Sequence, residues 1–431
     1  MIRTIRPRLT ATLAGLPEGL RSLMVDSARA WAAQTVAMAL ALFSTVLITR
    51  ALGAEGRGIY AWLLALAMVG SQVALLGMDT TNRRMAGGTN LAAALAHTPT
   101  LLRLTLLLCG AGGVLIALML AIYSQTNPFG QAHPFWLLLA MATVPMLAIG
   151  NALGMLLTAQ QKITSLIKVT LVPRTLVLVL TLATFAFGVL DERAALSINL
   201  AAQLSVTLLS LWYLRPSWPM LPSSPPWQRL LTGGLWRYTS AAYVAGLMQL
   251  LMQRVDILML GQMLGSAPTG YYSVAVTLTD VIITPVHIIA MFLSTRLGPV
   301  AQGGFTRRSM LAVYAGSFAF VCLCCLAAMA VAPQLVPLLF GKTFYPAVSA
   351  LRWLAPAAAM LALYFLLQTG VAALAPGRYV PIAPTIGCLS NIALNFWLIP
   401  AMGVPGACLA SLLSYAFAAA AAGIILHRQP L

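Results

Sequence analysis

The sequence predicts an all-α membrane protein: about twelve transmembrane helices in two parallel six-helix lobes around a central cavity. Three observations carry this reading. Of 431 residues, 60% are hydrophobic and 8% are charged, against about 25% charged in an ordinary soluble domain. The apolar residues form long uninterrupted runs rather than the short alternating segments of an outer-membrane strand. Two short patterns also recur at nearly one spacing in the two halves of the chain.

The runs come in order at roughly 30–50, 57–78, 101–123, 135–158, 165–188, 194–214, 236–262, 268–293, 309–332, 347–370, 379–399 and 405–427. Each supplies the roughly 20 apolar residues that a spanning helix needs. The first 29 residues hold five Arg and no apolar core, unlike a cleaved signal. The divisions follow: a basic N-tail over 1–29, an N-lobe over 30–214, a linker over 215–235, a C-lobe over 236–427 and a C-tail over 428–431. The linker is rich in Pro and Ser (RPSWPMLPSSPPW).

Charge sets the expected orientation. There are 25 Lys and Arg against 8 Asp and Glu, a net +17. These cations sit between apolar runs instead of covering one face of a domain, so nucleic acid is excluded as the partner. Eighteen lie on the tails, the even-numbered loops and the adjoining helix ends, and four on the odd-numbered loops. By the positive-inside rule both termini are cytoplasmic.

The repeat aligns ALGAEGRGIY (51–60) with MLGSAPTGYY (263–272) at an offset of 212, matching Leu52, Gly53, Gly58 and Tyr60 to Leu264, Gly265, Gly270 and Tyr272. GMLLTAQQK (154–162) aligns with GVAALAPGR (370–378) at an offset of 216. Two similar lobes can rock about one site and expose it to each side in turn.

Ionisable residues deep in a span are costly and are therefore candidate site residues. Arg174 lies roughly 14 Å into its span and Asp280 roughly 18 Å into its own, at about 1.5 Å per residue. Arg254 and Asp256 lie roughly 9–12 Å from the outer end of the seventh span. Two apart on a helix, they point to different sides. Together they suggest a cavity, positive on balance, for an anionic group such as phosphate, which Arg binds in a fork. Pairing of the Arg and Asp residues between helices is the alternative. Gln249, Asn151 and Asn395 are candidates for a sugar path, with helix-to-helix hydrogen bonds as the alternative. Arg83 and Arg84, beside Asp79 and Asn82, are candidate entry residues.

The six cysteines lie in apolar runs without zinc-site spacing, so no metal is expected. The chain has no GxxxxGK[ST], HExxH or GxSxG pattern, and no loop is long enough to house an outer active site. A non-enzymatic role follows.

The segments ITRALGAEGRGIYAW (48–62), LLGMDTTNRRMAGG (75–88), RVDILMLGQMLGSAPTGYYSVA (254–275), LFGKTFYPAVSALRWLAP (339–356) and NIALNFWLIPAMGVPGACLAS (391–411) resemble polysaccharide biosynthesis proteins of the O-antigen flippase type. These belong to the multidrug/oligosaccharidyl-lipid/polysaccharide exporter superfamily. The resemblance implies transport of an oligosaccharide on polyprenyl pyrophosphate from the inner to the outer leaflet of the bacterial inner membrane. It places Arg57 and Asp256 where the family often has Arg and Asp. Its implied partners are the lipid-linked glycan, membrane lipids and a glycan polymerase or export machinery. No cofactor is expected beyond a coupling ion, H+ or Na+. An ion-coupled multidrug or cation antiporter, a membrane glycosyltransferase or polymerase, and a non-transporting subunit of a secretion complex are the alternatives.

Overall fold

The computed structural model describes residues 18–86, 91–123, 134–160, 162–215, 234–297 and 307–429. The N-tail up to residue 17, most of the linker and residues 430–431 lie outside the described residues. Among the described residues there is no strand. The described residues form twelve α-helices: α1 (Glu18–Ala74), α2 (Met78–Ala86), α3 (Leu91–Tyr123), α4 (Pro134–Ala159), α5 (Ile163–Ala186), α6 (Glu192–Leu214), α7 (Gly234–Leu264), α8 (Ser266–Leu297), α9 (Arg307–Phe340), α10 (Ala347–Leu374), α11 (Ile382–Met402) and α12 (Val404–His427).

At 57 residues, α1 is too long for one crossing. At 1.5 Å per residue it would measure about 85 Å, against a hydrocarbon core of about 30 Å. Gly53 resolves this. Its φ of 66° and ψ of −173° break the helix into two arms, 18–52 and 54–74, which hold the first two expected spans. Ten helices of the described residues are long and apolar enough to cross a membrane, with both arms of α1 counted as one. The chain is a multi-pass membrane protein.

The repeat is visible in the backbone. Gly265, which separates α7 from α8, has φ 86°, as Gly53 has φ 66°. Both are left-handed positions that a side chain with a Cβ adopts only with strain. Their separation is the offset of 212 read from sequence. A second pair, Gly188 (φ 67°) and Gly403 (φ 65°), closes the fifth and eleventh spans 215 residues apart.

The lobes meet at these joints. A Cβ on Gly58 would lie 1.8 Å from the Ser266 carbonyl oxygen, and one on Gly270 would lie 2.0 Å from that of Ala54. The offset of 212 carries Ala54 onto Ser266 and Gly58 onto Gly270. The crossing is therefore reciprocal: each repeat offers a small residue and receives the other's backbone, as small-xxx-small helix pairs do. We call this side the joint face. The second arm of α1 then descends antiparallel to α7. Trp62 Nε1 donates to the Leu258 carbonyl (3.2 Å) and, further down, the Tyr243 hydroxyl donates to that of Val73 (3.0 Å). Gly77 meets Thr239 at the opposite, linker face.

Each lobe has its own packing. Two clusters fill the N-lobe, one around Leu101, Leu153 and Leu157 and one around Tyr60, Trp62 and Leu196. A larger cluster fills the C-lobe around Tyr272, Phe340, Phe344 and Tyr364, and takes in Ala61 and Ala65 from α1.

Candidate functional site

The charged residues fall into two groups, one per lobe. In the N-lobe, the second arm of α1 turns Arg57 toward α8. Its Nε donates to Ser273 Oγ at 3.1 Å and its second arm of donors to Thr277 Oγ1 at 3.2 Å. The guanidinium carbon lies 5.6 Å from the Tyr60 ring centre, a cation–π distance. Arg57 is 8% exposed. Tyr60 also lies within electrostatic reach of Arg174 of α5. One guanidinium thus lies over a buried phenol, with a second within electrostatic reach. Among the described residues no carboxylate lies within ion-pair distance of either.

Arg174 is exposed and follows Pro173 inside α5. The lipid-exposed stripe of α5 is Lys168, Val172, Thr175 and Val179. Arg174 lies about 130° round the helix from the middle of that stripe, at 100° per residue. It stands on the flank beside the buried face of Pro173 and Thr181.

In the C-lobe the charges are matched. Arg254 Nη2 lies 3.2 Å from Asp280 Oδ2, with the side chains 19% and 48% exposed. Asp256 is 1% exposed. It accepts hydrogen bonds from the Tyr272 hydroxyl, from Ser411 Oγ at 3.2 Å and from the Ile257 amide at 2.7 Å. Both neighbours on α7 thus bond to α8, Arg254 at Asp280 and Asp256 at Tyr272, and Asp256 adds Ser411 of α12. Between them lies a hollow of about 20 Å³ lined by Gln253, Arg254, Asp256, Tyr272, Asp280 and Tyr415 among others, room for about one water.

A buried polar chain continues from Ser411. Ser414 Oγ donates to the Ser411 carbonyl (3.0 Å), Asn391 Nδ2 to Ser414 Oγ (3.0 Å), and Asn395 Nδ2 to Asn391 Oδ1 (2.8 Å). Asn395 is fully buried between α11 and α12, so the structure places it in helix packing, away from any path. Gln249 accepts from the Tyr364 hydroxyl at 3.2 Å. Asn151 is exposed on α4. The side chains of Arg83 and Arg84 lie outside the described residues. The short helix α2 that carries them is pinned by Asn82, whose Nδ2 donates to Thr105 Oγ1 and to the Ala152 carbonyl, both at 3.0 Å.

A cavity of about 330 Å³ sits where the lobes meet, lined by Trp62, Leu66, Leu258, Met259, Gln262, Met263 and Phe396. It is apolar, and none of the charged candidates lines it. In this arrangement Arg57 is folded into the lobe contact and Arg254 is drawn to Asp280.

Sequence reasoning missed Tyr60, Ser273, Thr277, Tyr272 and Ser411. The signal for two of them was present, because Tyr60 and Tyr272 are repeat partners at the offset of 212. They occupy equivalent places with opposite company. Tyr60 has the Arg57 guanidinium beside it and Tyr272 a carboxylate.

Two related six-helix lobes joined at reciprocal glycine contacts define the class: an all-α, multi-pass membrane protein of internally repeated architecture. Solved structures share that fold. The chain is similar to the lipid II flippase MurJ in an inward closed conformation, at TM-score 0.67 and 13% identity over 93% of this chain and 88% of that one. It is also similar to a multidrug resistance MATE family transporter of the MOP superfamily in an inward-facing conformation, at TM-score 0.65 and 14% identity over 90% and 93%. The MATE multidrug transporter DinF-BH in complex with R6G aligns at TM-score 0.65 and 16% identity over 96% of each chain. At the level of sequence, no family model and no curated protein matches.

Proposed function

We propose that this protein is a flippase. It moves a polyprenyl-pyrophosphate-linked oligosaccharide from the cytoplasmic to the outer leaflet of the bacterial inner membrane by alternating access of its two lobes. The linker face is then cytoplasmic, in keeping with the Lys and Arg count. The observation that carries the reading is the buried Arg57, held by Ser273, Thr277 and the Tyr60 ring with no carboxylate at ion-pair distance, against the matched Arg254–Asp280 pair in the other lobe. A buried cation held only by neutral hydroxyls is costly. When the lobes part, an anionic head replaces Ser273 and Thr277 as the partner of Arg57. Arg is suited to this exchange, since it stays charged and grips phosphate oxygens in a fork. The lobe division at 215–235 and the role of a coupling ion, H+ or Na+, belong to the same proposal.

The test is reconstitution in liposomes with a fluorescent polyprenyl-pyrophosphate oligosaccharide, read as the fraction reached by an impermeant quencher. The Arg57→Gln and Arg174→Gln variants should each slow transfer by about tenfold or more, the value of a charge-assisted hydrogen bond. Both variants running at the parental rate at normal protein levels would end the reading. Asp280, 48% exposed beside Arg254, favours export of a cation as the second reading. Transport of a cationic dye by the parent, lost in Asp280→Asn and kept in Arg57→Gln, would establish it instead.

A further inference from the structure

A second cationic feature lies apart from the lobe boundary, on the linker-face ends of α5 and α6. Lys162, just before α5, donates from Nζ to the Tyr213 carbonyl at 3.1 Å. Lys168, on the next turns of α5, places Nζ 5.9 Å from the Tyr213 ring centre. Arg215, at the end of α6, places its guanidinium carbon 5.7 Å from the Trp212 ring centre. Three cations from three points in sequence therefore converge on one aromatic pair. Lys168 and Arg215 are exposed, and Trp212 is 63% exposed. Among the described residues no ion pair holds any of the three.

Below the cluster both helices turn apolar faces outward. On α6 the exposed residues Leu204, Leu208 and Trp212 lie four apart, on one stripe. On α5 Lys168 heads the stripe of Val172, Thr175 and Val179. The two helices pack side by side. The stripe of α6 runs about 12 Å toward the middle of the bilayer. Cations above, amphipathic rings at the boundary and a long apolar strip beneath match the parts of a phospholipid in their order.

We propose that the ends of α5 and α6 form a binding site for an anionic phospholipid, with Lys162, Lys168 and Arg215 holding the phosphate-bearing head beside Trp212 and Tyr213 and the acyl chain lying along Leu208 and Val172. Burial pushes the Lys162 ammonium down from its usual range, and an anionic head beside it opposes that shift. Aromatic rings at the headgroup level and basic residues facing an anionic leaflet are each favourable. The site is independent of the cargo and stands whether or not the flippase reading does.

The test uses the purified full chain in a neutral detergent, with bound lipids counted by native mass spectrometry. Dioleoylphosphatidylglycerol, dioleoylphosphatidylcholine and inorganic phosphate are titrated in turn. Phosphatidylglycerol should bind with a marked preference over phosphatidylcholine, and added salt should weaken it. The double variant K168Q/R215Q should lose about 25-fold in phosphatidylglycerol affinity, at about fivefold per cation near the surface. K168R/R215K, which keeps the charges, should retain it, and Arg428→Gln, an exposed cation elsewhere, should leave it unchanged. Equal binding of the two lipids, or a double variant that binds as the parent does, overturns the proposal. So does inorganic phosphate binding as tightly as the lipid, since the acyl stripe would then contribute nothing.

Discussion

Asp256 shows how a single side chain can hold three helices. It sits on α7 and takes hydroxyl donors from Tyr272 on α8 and Ser411 on α12. Removing it would take the carboxylate acceptor from both buried hydroxyls, leaving them only each other at 3.4 Å, at about 1–3 kcal/mol for each unsatisfied group. Asp256→Ala is therefore expected to destabilise the C-lobe by about 2–4 kcal/mol, and Asp256→Asn by less, because its amide oxygen still accepts. Thermal unfolding in detergent, followed by size-exclusion elution, checks the order parent, Asn, Ala. Equal stability of the three would mean that the carboxylate holds nothing. Asp256 and Arg254 were both legible in the sequence as costly intramembrane charges. Their partners were not. Spacing on α7 predicted that they diverge, yet both line one hollow and both bond to α8, and only packing could decide that Arg254 finds Asp280. For Asn395 the sequence left a sugar path and helix-to-helix bonding both open for a related reason: in lipid a packed face and an exposed face can be equally apolar. The rotation of α11 could therefore not be read from its residues.

At the scale of elements, the glycines of the repeat were more informative than the charges. Leu-Gly and Ala patterns are common in membrane helices, yet the offset of 212 located both left-handed joints, Gly53 and Gly265, and both halves of the reciprocal contact. Gly58 and Gly270 lie against backbone oxygens, which cannot move aside as a side-chain tip would. Gly58→Val or Gly270→Val must therefore push the second arm of α1 away from the start of α8. The two helices would separate at the joint face, loosening the bond from Arg57 to Ser273 and Thr277. Impermeant maleimide should then label a cysteine placed at Thr277 several-fold faster, on a background without the six native cysteines. Unchanged labelling in both variants would mean that the contact closes nothing. The same change at Gly154, where a Cβ meets no atom within 4 Å, serves as the control. The kink in α1 was not visible as a kink, because the apolar runs on either side of Gly53 almost touch. Reading two spans there depended on length alone.

The whole molecule is held at two levels by different chemistry. Near the joint face, Arg50 of α1 donates from Nε to the Leu339 carbonyl at 2.7 Å and from its terminal nitrogen to that of Leu338, so an N-lobe guanidinium closes the last turn of C-lobe helix α9. Arg57 and Trp62 add their bonds to α8 and α7 below it. Near the linker face, the bond from Tyr243 to the Val73 carbonyl lies between the same two lobes. A pair of lobes that rocks must break one set while keeping the other, so the two sets should act in opposite directions. Arg50→Ala removes donors from the joint face and is expected to shift the population toward opening there. Tyr243→Phe removes one donor from the linker face and is expected to shift it the other way. The neutral Tyr243 bond is worth about 0.5–1.5 kcal/mol and each bond from the charged Arg50 about 1.5–3 kcal/mol, so the equilibrium should move by about twofold to tenfold for Tyr243→Phe and by more than about tenfold for Arg50→Ala. The measurement is the distance distribution between paired spin labels, one pair across each face, in the parent and both variants. Opposite displacements identify the two levels as alternating closures. Displacement of both variants in the same direction, or of neither, would mean that the lobes are a rigid pack and that the glycine crossing, rather than these donors, sets their relation.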